Sequence, residues 1–124
     1  MCEGYDIMIR VIVKFTRKLY KSGRELFIYK DISVTGHSSD GTINSLKCCA
    51  GVTAITCGLM NIFDDITSDV TINKGYFHYR MKKFDNEINY AINALVYQLD
   101  GISITYPSYI DIQFIEEKTN GEEN

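Results

Sequence analysis

An α+β fold, a mainly antiparallel sheet covered by two helices, follows from three patterns in this 124-residue sequence. Two pairs of segments alternate apolar and polar residues and are joined by turn-forming residues, as hairpins are. Two longer segments carry apolar residues at helical spacing. A last alternating segment follows the only proline, Pro107. The predicted order is ββαββαβ in a single domain, 1–124, with neither internal repeat nor linker.

Ile7, Ile9, Val11, Val13 and Phe15 recur every second residue, the period of a half-buried strand, which predicts a strand over 7–15. The second strand is 25–35. Residues 16–24 between them are basic and end in Ser22 and Gly23, so they read as an exposed hairpin connection. Residues 36–46, GHSSDGTINSL, have almost nothing to bury and predict a loop. Val52, Ile55, Leu59, Ile62 and Ile66 then predict a helix over 47–66, capped by Asn44 or Ser45, with small residues Ala50, Gly51, Thr53, Ala54 and Gly58 that admit a close neighbour. Residues 69–81 form a hairpin around Asn73, Lys74 and Gly75. Asp85 caps a second helix whose stripe is Ile88, Ala91, Ile92, Leu95, Leu99 and Ile102, and Pro107 ends it. Ile110, Ile112 and Phe114 mark a final strand. The acidic residues from Glu116 onward predict a frayed tail, with 1–6 and 117–124 disordered.

The net charge is only −3 and no run of Lys and Arg is read as interleaved with aromatics, so no nucleic-acid partner is expected. Arg10, Lys14, Asp64 and Asp65 interrupt every apolar run before it reaches the roughly 20 residues of a membrane span. Residues 1–6 lack the features of an export signal, so a soluble, cytoplasmic protein is expected. The adjacent pair Cys48 and Cys49, with Cys57 two turns on, does not resemble a secreted disulfide framework, and free thiols fit better.

A cysteine is a nucleophile when its thiolate is populated, which the start of a helix and a neighbouring cation favour. Cys48 and Cys49, beside Lys47, meet that description, whereas Cys57 lies mid-helix and Cys2 near the terminus. A thiolate also needs a histidine to protonate the leaving amine. His37 follows Gly36 at the end of a strand, and the 36–46 loop can return it to the helix start. His78 alternates with Tyr76 and Arg80 on a strand, where a structural role is expected. Each cysteine also has a bland reading as a small buried hydrophobe. No Cys-x-x-Cys pair supports zinc, and no cofactor or metal is called for.

Gly36 and His37, a polar loop, then Cys49, Ala50, Gly51, Val52, Thr53 and Ala54 resemble the signature of the Prp (YsxB-like) ribosomal-processing cysteine proteases. The resemblance implies Cys49 as nucleophile, His37 as base, and Thr53 as the hydroxyl four residues after the nucleophile. Gly36, Ser38, Asn44 and Ser45 are implied as supporting or substrate-binding residues, with residues 38–47 closing over the peptide. It further implies a homodimer that removes a short N-terminal extension from a large-subunit ribosomal protein, or from a phage structural protein with a similar extension, after an aromatic residue. Two departures from the pattern are the long basic hairpin and Leu46, where family members carry an acidic residue. The alternative implied by Leu46 is a family member without turnover that binds a peptide or associates with ribosomes.

Overall fold

A computed structural model of the chain describes residues 8–36, 41–59, 62–73 and 75–118. The elements are β1 (Ile9–Leu19), β2 (Glu25–Thr35), α1 (Ile43–Cys57), β3 (Ser68–Asn73), β4 (Tyr76–Met81), α2 (Asn86–Thr105) and β5 (Ile110–Glu116). They form the α+β fold in the predicted order, as one five-stranded sheet ordered β3-β4-β2-β1-β5. All neighbours pair antiparallel except β1 and β5, which run parallel with Ile9 opposite Ile110.

Ile9, Val11 and Val13 of β1, Ile32 and Val34 of β2, and Phe77 and Tyr79 of β4 project to one face, where they meet Ile88, Ile92, Leu95, Val96 and Leu99 of α2. Alternation in the strands and helical spacing in α2 therefore meet in a single core. The register of β1 against β2 shifts between Lys14 and Phe15, leaving Lys30 unopposed. Before Asp31, β2 pairs with no described strand on its β4 side. There the buried Asn89 of α2 takes over: its Oδ1 accepts from Tyr29 N at 3.1 Å and its Nδ2 donates to Phe27 O at 2.9 Å. Asp85 caps α2 as predicted, its carboxylate accepting from Ile88 N at 2.9 Å.

The predicted boundaries needed four corrections. Strand β1 runs on to Leu19, because Thr16 to Leu19 pair with Ile28 to Glu25, so the hairpin connection is a tight turn and not a loop over 16–24. Helix α1 starts at Ile43 and not at 47, capped by Thr42 and not by Asn44 or Ser45. Its exposed Ile43 and Leu46 hid the helical period there. The same helix stops at Cys57 instead of 66. Downstream, Asp64 Oδ1 accepts from Ile66 N at 2.9 Å and Thr67 N at 2.8 Å, a local turn that competes with helix, and Ile66 is left 72% exposed. These bonds hold the Asp64 carboxyl below its ordinary value. Finally, the acidic tail is not frayed at its start: Glu116 accepts from Arg17 at 2.8 and 3.1 Å, and Glu117 N donates to Phe15 O at 2.7 Å. Residues 1–6 and 119–124, expected to be disordered, lie outside the described residues.

Candidate active site

Strand β2 ends at Gly36, whose φ of 96° lies in the left-handed region that favours glycine. Its N–H donates to the carbonyl of Gly75, the residue at φ 73° in the β3–β4 turn, at 3.1 Å. Two glycine turns thus lock the end of β2 against the tip of the second hairpin. Helix α1 crosses the same end of the sheet, and it approaches α2 closely at Gly51, where a Cβ would stand 3.2 Å from Ile102 Cδ1.

Between α1 and this end of the sheet lies a cleft of about 580 Å³. Cys49, Val52, Thr53, Thr56 and Cys57 form its helical wall, Gly36, Gly75, Asn73 and Tyr76 its rim, and Ile9, Val34, Ile72 and Phe77 its apolar floor. The two adjacent cysteines part company here. Cys48 faces the core at 0% exposure, and burial, followed by the neighbouring Cys49, pushes its thiol up. Cys49 is only partly buried and lines the cleft. Successive helical residues point about 100° apart, so the two cannot share one face.

The longer α1 changes the electrostatics of the site. Cys49 is the seventh helical residue, not one of the first, so the unpaired N–H groups of the helix start and their partial charge lie more than a turn away. Lys47 is exposed and, two residues from Cys49, occupies another face of the helix. No described residue lining the cleft is charged. A cation for a Cys49 thiolate therefore has to come from outside the described lining.

Other candidates fall in different places. Gly36 and Thr53 line the cleft. His37 and Ser38 lie outside the described residues, His37 being the next residue after Gly36. Asn44 is exposed in the first turn of α1 and is not part of the described lining. Ser45 is fully buried, its N–H donating to Thr42 Oγ1 at 3.1 Å, so its place is in the helix start and not on the cleft surface. His78 has the structural setting expected of it: its Nε2 stands 3.0 and 3.1 Å from the two Asp31 oxygens, away from the cleft. The sequence reading missed Thr56, Asn73 and Tyr76. Thr56 could have been found by helical spacing, seven residues after Cys49; Asn73 and Tyr76 reach the cleft only through the tertiary placement of the hairpin. Thr56 Oγ1 donates to Val52 O at 3.0 Å, with Thr53 O at 3.2 Å, which ties its side chain to the helix. Among the described residues no three metal-ligating side chains converge, and no helix is long and apolar enough to cross a membrane.

A cleft lined by two thiols, the partly buried Cys49 and the exposed Cys57, between a helix and a mainly antiparallel sheet offers room for thiol chemistry on an α+β scaffold. The profile of the family described as "Cysteine protease Prp" matches residues 8–111, and the chain belongs to that family of cysteine proteases. The fold is shared with the ribosomal processing protease Prp from S. aureus solved with a substrate peptide, at TM-score 0.64 and 18% identity, covering 86% of this chain and 99% of that one. A second S. aureus Prp structure, with a covalently linked product peptide, gives TM-score 0.62 at 20% identity over 86% and 99% of the two chains. SMU.848 from Streptococcus mutans gives TM-score 0.65 at 16% identity, covering 89% and 96%. No curated protein matches the chain.

Proposed function

We propose that this cysteine protease cleaves a short N-terminal extension from a ribosomal protein, with Cys49 as nucleophile and His37 as its base. The observation that carries the reading is the place of Cys49 on the wall of the cleft, opposite Gly36, with His37 next in sequence. With no charged residue in the described lining, an imidazolium at position 37 is the cation that would populate the thiolate. Thiolate sulfur attacks the scissile carbonyl carbon, its electron pair forming the C–S bond as the carbonyl oxygen becomes an oxyanion. Collapse of that intermediate expels the amine, which takes the imidazolium proton. Water, deprotonated by the neutral imidazole, then hydrolyses the thioester and returns the thiol. Amide donors to the oxyanion have to come from residues outside the first turn of α1, since Cys49 is too far along it.

The apolar floor of Ile9, Val34, Ile72 and Phe77 suits a large apolar or aromatic side chain before the cleaved bond. Membership of the family supports the ribosomal substrate class, a phage structural protein with a similar extension being a second substrate of the same chemistry. The same membership supports a homodimer in the cytoplasm; of the segment 38–47 expected to close over the peptide, residues 43–47 belong to the start of α1 and not to a loop. Thr53, exposed one turn beyond Cys49, serves in substrate contact, and Asn44 and Ser45 serve the start of α1. Leu46, exposed where relatives carry an acid, motivates the second reading, a member that grips peptides without turnover.

Incubation with N-terminal segments of its own organism's ribosomal proteins tests both readings. Cleavage should be abolished in Cys49→Ala, reduced by orders of magnitude in His37→Ala with loss of the bell-shaped pH profile, and retained in His78→Ala. Tight peptide binding without cleavage by the parent protein, together with alkylation of Cys49 no faster than that of Cys57, would establish the second reading instead.

A further inference from the structure

The β1–β2 ribbon outruns the sheet at the end opposite the cleft. Strand β5 accompanies β1 only to Phe15, paired with Glu116, and β4 accompanies β2 only as far as Asp31. Lys18, Leu19 and the turn after them pair only within the ribbon, which projects by about 10 Å at roughly 3.4 Å per residue. The turn is built, not loose: Tyr20 N donates to Arg24 O at 2.8 Å and Gly23, at φ 91°, donates to Tyr20 O at 2.9 Å.

Charge is segregated onto this ribbon. Residues 14–25 contain five Lys or Arg and one Glu, a charge of +4, and the chain as a whole carries −3, so the remainder stands at −7. Arg17 is held by Glu116 and Glu25 at the base of the ribbon. Lys18, Lys21 and Arg24 at its tip are exposed and in no ion pair with another described residue. Among them stands the Tyr20 ring, 41% exposed, with Lys18 Nζ 5.4 Å from its centroid.

We infer that this tip is a nucleic-acid-binding arm, in which Lys18, Lys21 and Arg24 contact the phosphates of a single-stranded RNA segment and Tyr20 offers its face to a base. Aromatic faces flanked by cations hold single strands in this way. The shape selects against a membrane: three cations contribute about 1 kcal/mol each at an anionic surface, and a body at −7 is repelled from a flat sheet of negative charge that a narrow arm cannot hold at a distance. The expectation of no nucleic-acid partner rested on the net charge and on finding no run of Lys and Arg interleaved with aromatics, residues 16–24 being read as an exposed basic connection; Lys18, Tyr20, Lys21 and Arg24 form such a run. With β1 extended to Leu19, the same residues become a rigid tip.

The arm lies apart from the cleft, so the test separates the two functions. Binding of a fluorescein-labelled oligouridylate to the full chain is followed by anisotropy between about 50 and 200 mM salt. Three phosphate contacts predict a slope of about −2 in log K against log salt, roughly a twentyfold loss over that range. The triple variant Lys18→Gln, Lys21→Gln, Arg24→Gln should abolish both binding and slope while leaving peptide cleavage unchanged. Tyr20→Leu should weaken binding at least about fivefold without changing the slope. An unchanged affinity in the triple variant, or parent protein that binds phosphatidylserine vesicles but not the oligouridylate, would overturn the proposal.

Discussion

The two helices lie on the same face of the sheet and are built on opposite principles. Helix α2 buries Ile88, Ile92, Leu95, Val96 and Leu99 together with Asn89, whose amide completes the hydrogen bonding of β2. Helix α1 buries Ser45, Cys48, Val52 and Thr56, four small residues of which two are hydroxyls. Burial of a large aliphatic side chain contributes about 1.5–3 kcal/mol, and most of that contribution sits on α2. The helix that carries the candidate nucleophile is thus the one least committed to the core, which leaves a cleft beside it instead of a packed interface.

The greatest effect that could break this contrast is on activity. Cys49→Ala should remove at least about a thousandfold of the cleavage rate while shifting Tm little, whereas Cys48→Ala should keep turnover and lose about 1 kcal/mol of stability, read in parallel by peptide cleavage and thermal unfolding. Dead Cys48→Ala with active Cys49→Ala would reverse the roles of the two faces.

Stability should show the opposite ranking. Leu95→Ala in α2 should cost about 3 kcal/mol and Asn89→Ala about 2, the latter because two backbone groups of β2, one buried and one part-buried, lose their partner. Thr53→Ala, on the exposed face of α1, should stay within about 0.5 kcal/mol. Urea unfolding measures all three, and equal costs on the two helices would refute the division.

The smallest effect sharpens the picture of the α2 side by pH. Burial pushes Tyr29, whose hydroxyl donates to Asn93 of α2, up to about 12 from 10. A folded-state value above the unfolded one means its contribution is complete below pH 10 and is lost as pH rises through about 12. Chemical denaturation at intervals from pH 9 to about 12 should therefore show a decline that is shallower in Tyr29→Phe; an identical decline would exclude Tyr29 as its source. Tyr79, also pushed up to about 12 by burial, remains to titrate in the variant.

Elements whose buried faces keep a regular period were legible in the sequence. The stripe of α2 was read nearly as it stands, as were the β1 alternation, the Gly75 turn and the Asp85 cap. What failed was α1, for a physical reason: with Ile43, Leu46 and Ile66 in solvent and Ser45, Cys48 and Thr56 inside, apolarity does not report which face is buried. Site residues that shared the helix with Cys49 could be reached by spacing. Asn73 and Tyr76 could not, because only the pairing of β2 with β4 brings their hairpin to the cleft.

The parallel pairing of β1 with β5 also bears on how the chain acquires its fold. Most of the sheet can form from neighbours in sequence, two hairpins and the helices that cover them, but Ile9 must wait for Ile110, 101 residues later. Closing so long a loop is entropically costly and slow compared with hairpin formation. Until β5 arrives, the edge of β1 presents unpaired N–H and C=O groups beside Val11 and Val13, a surface that another strand could occupy. Strand β5, the last of the described strands in chain order, thus seals this edge, and β1 is exposed to mispairing until it docks.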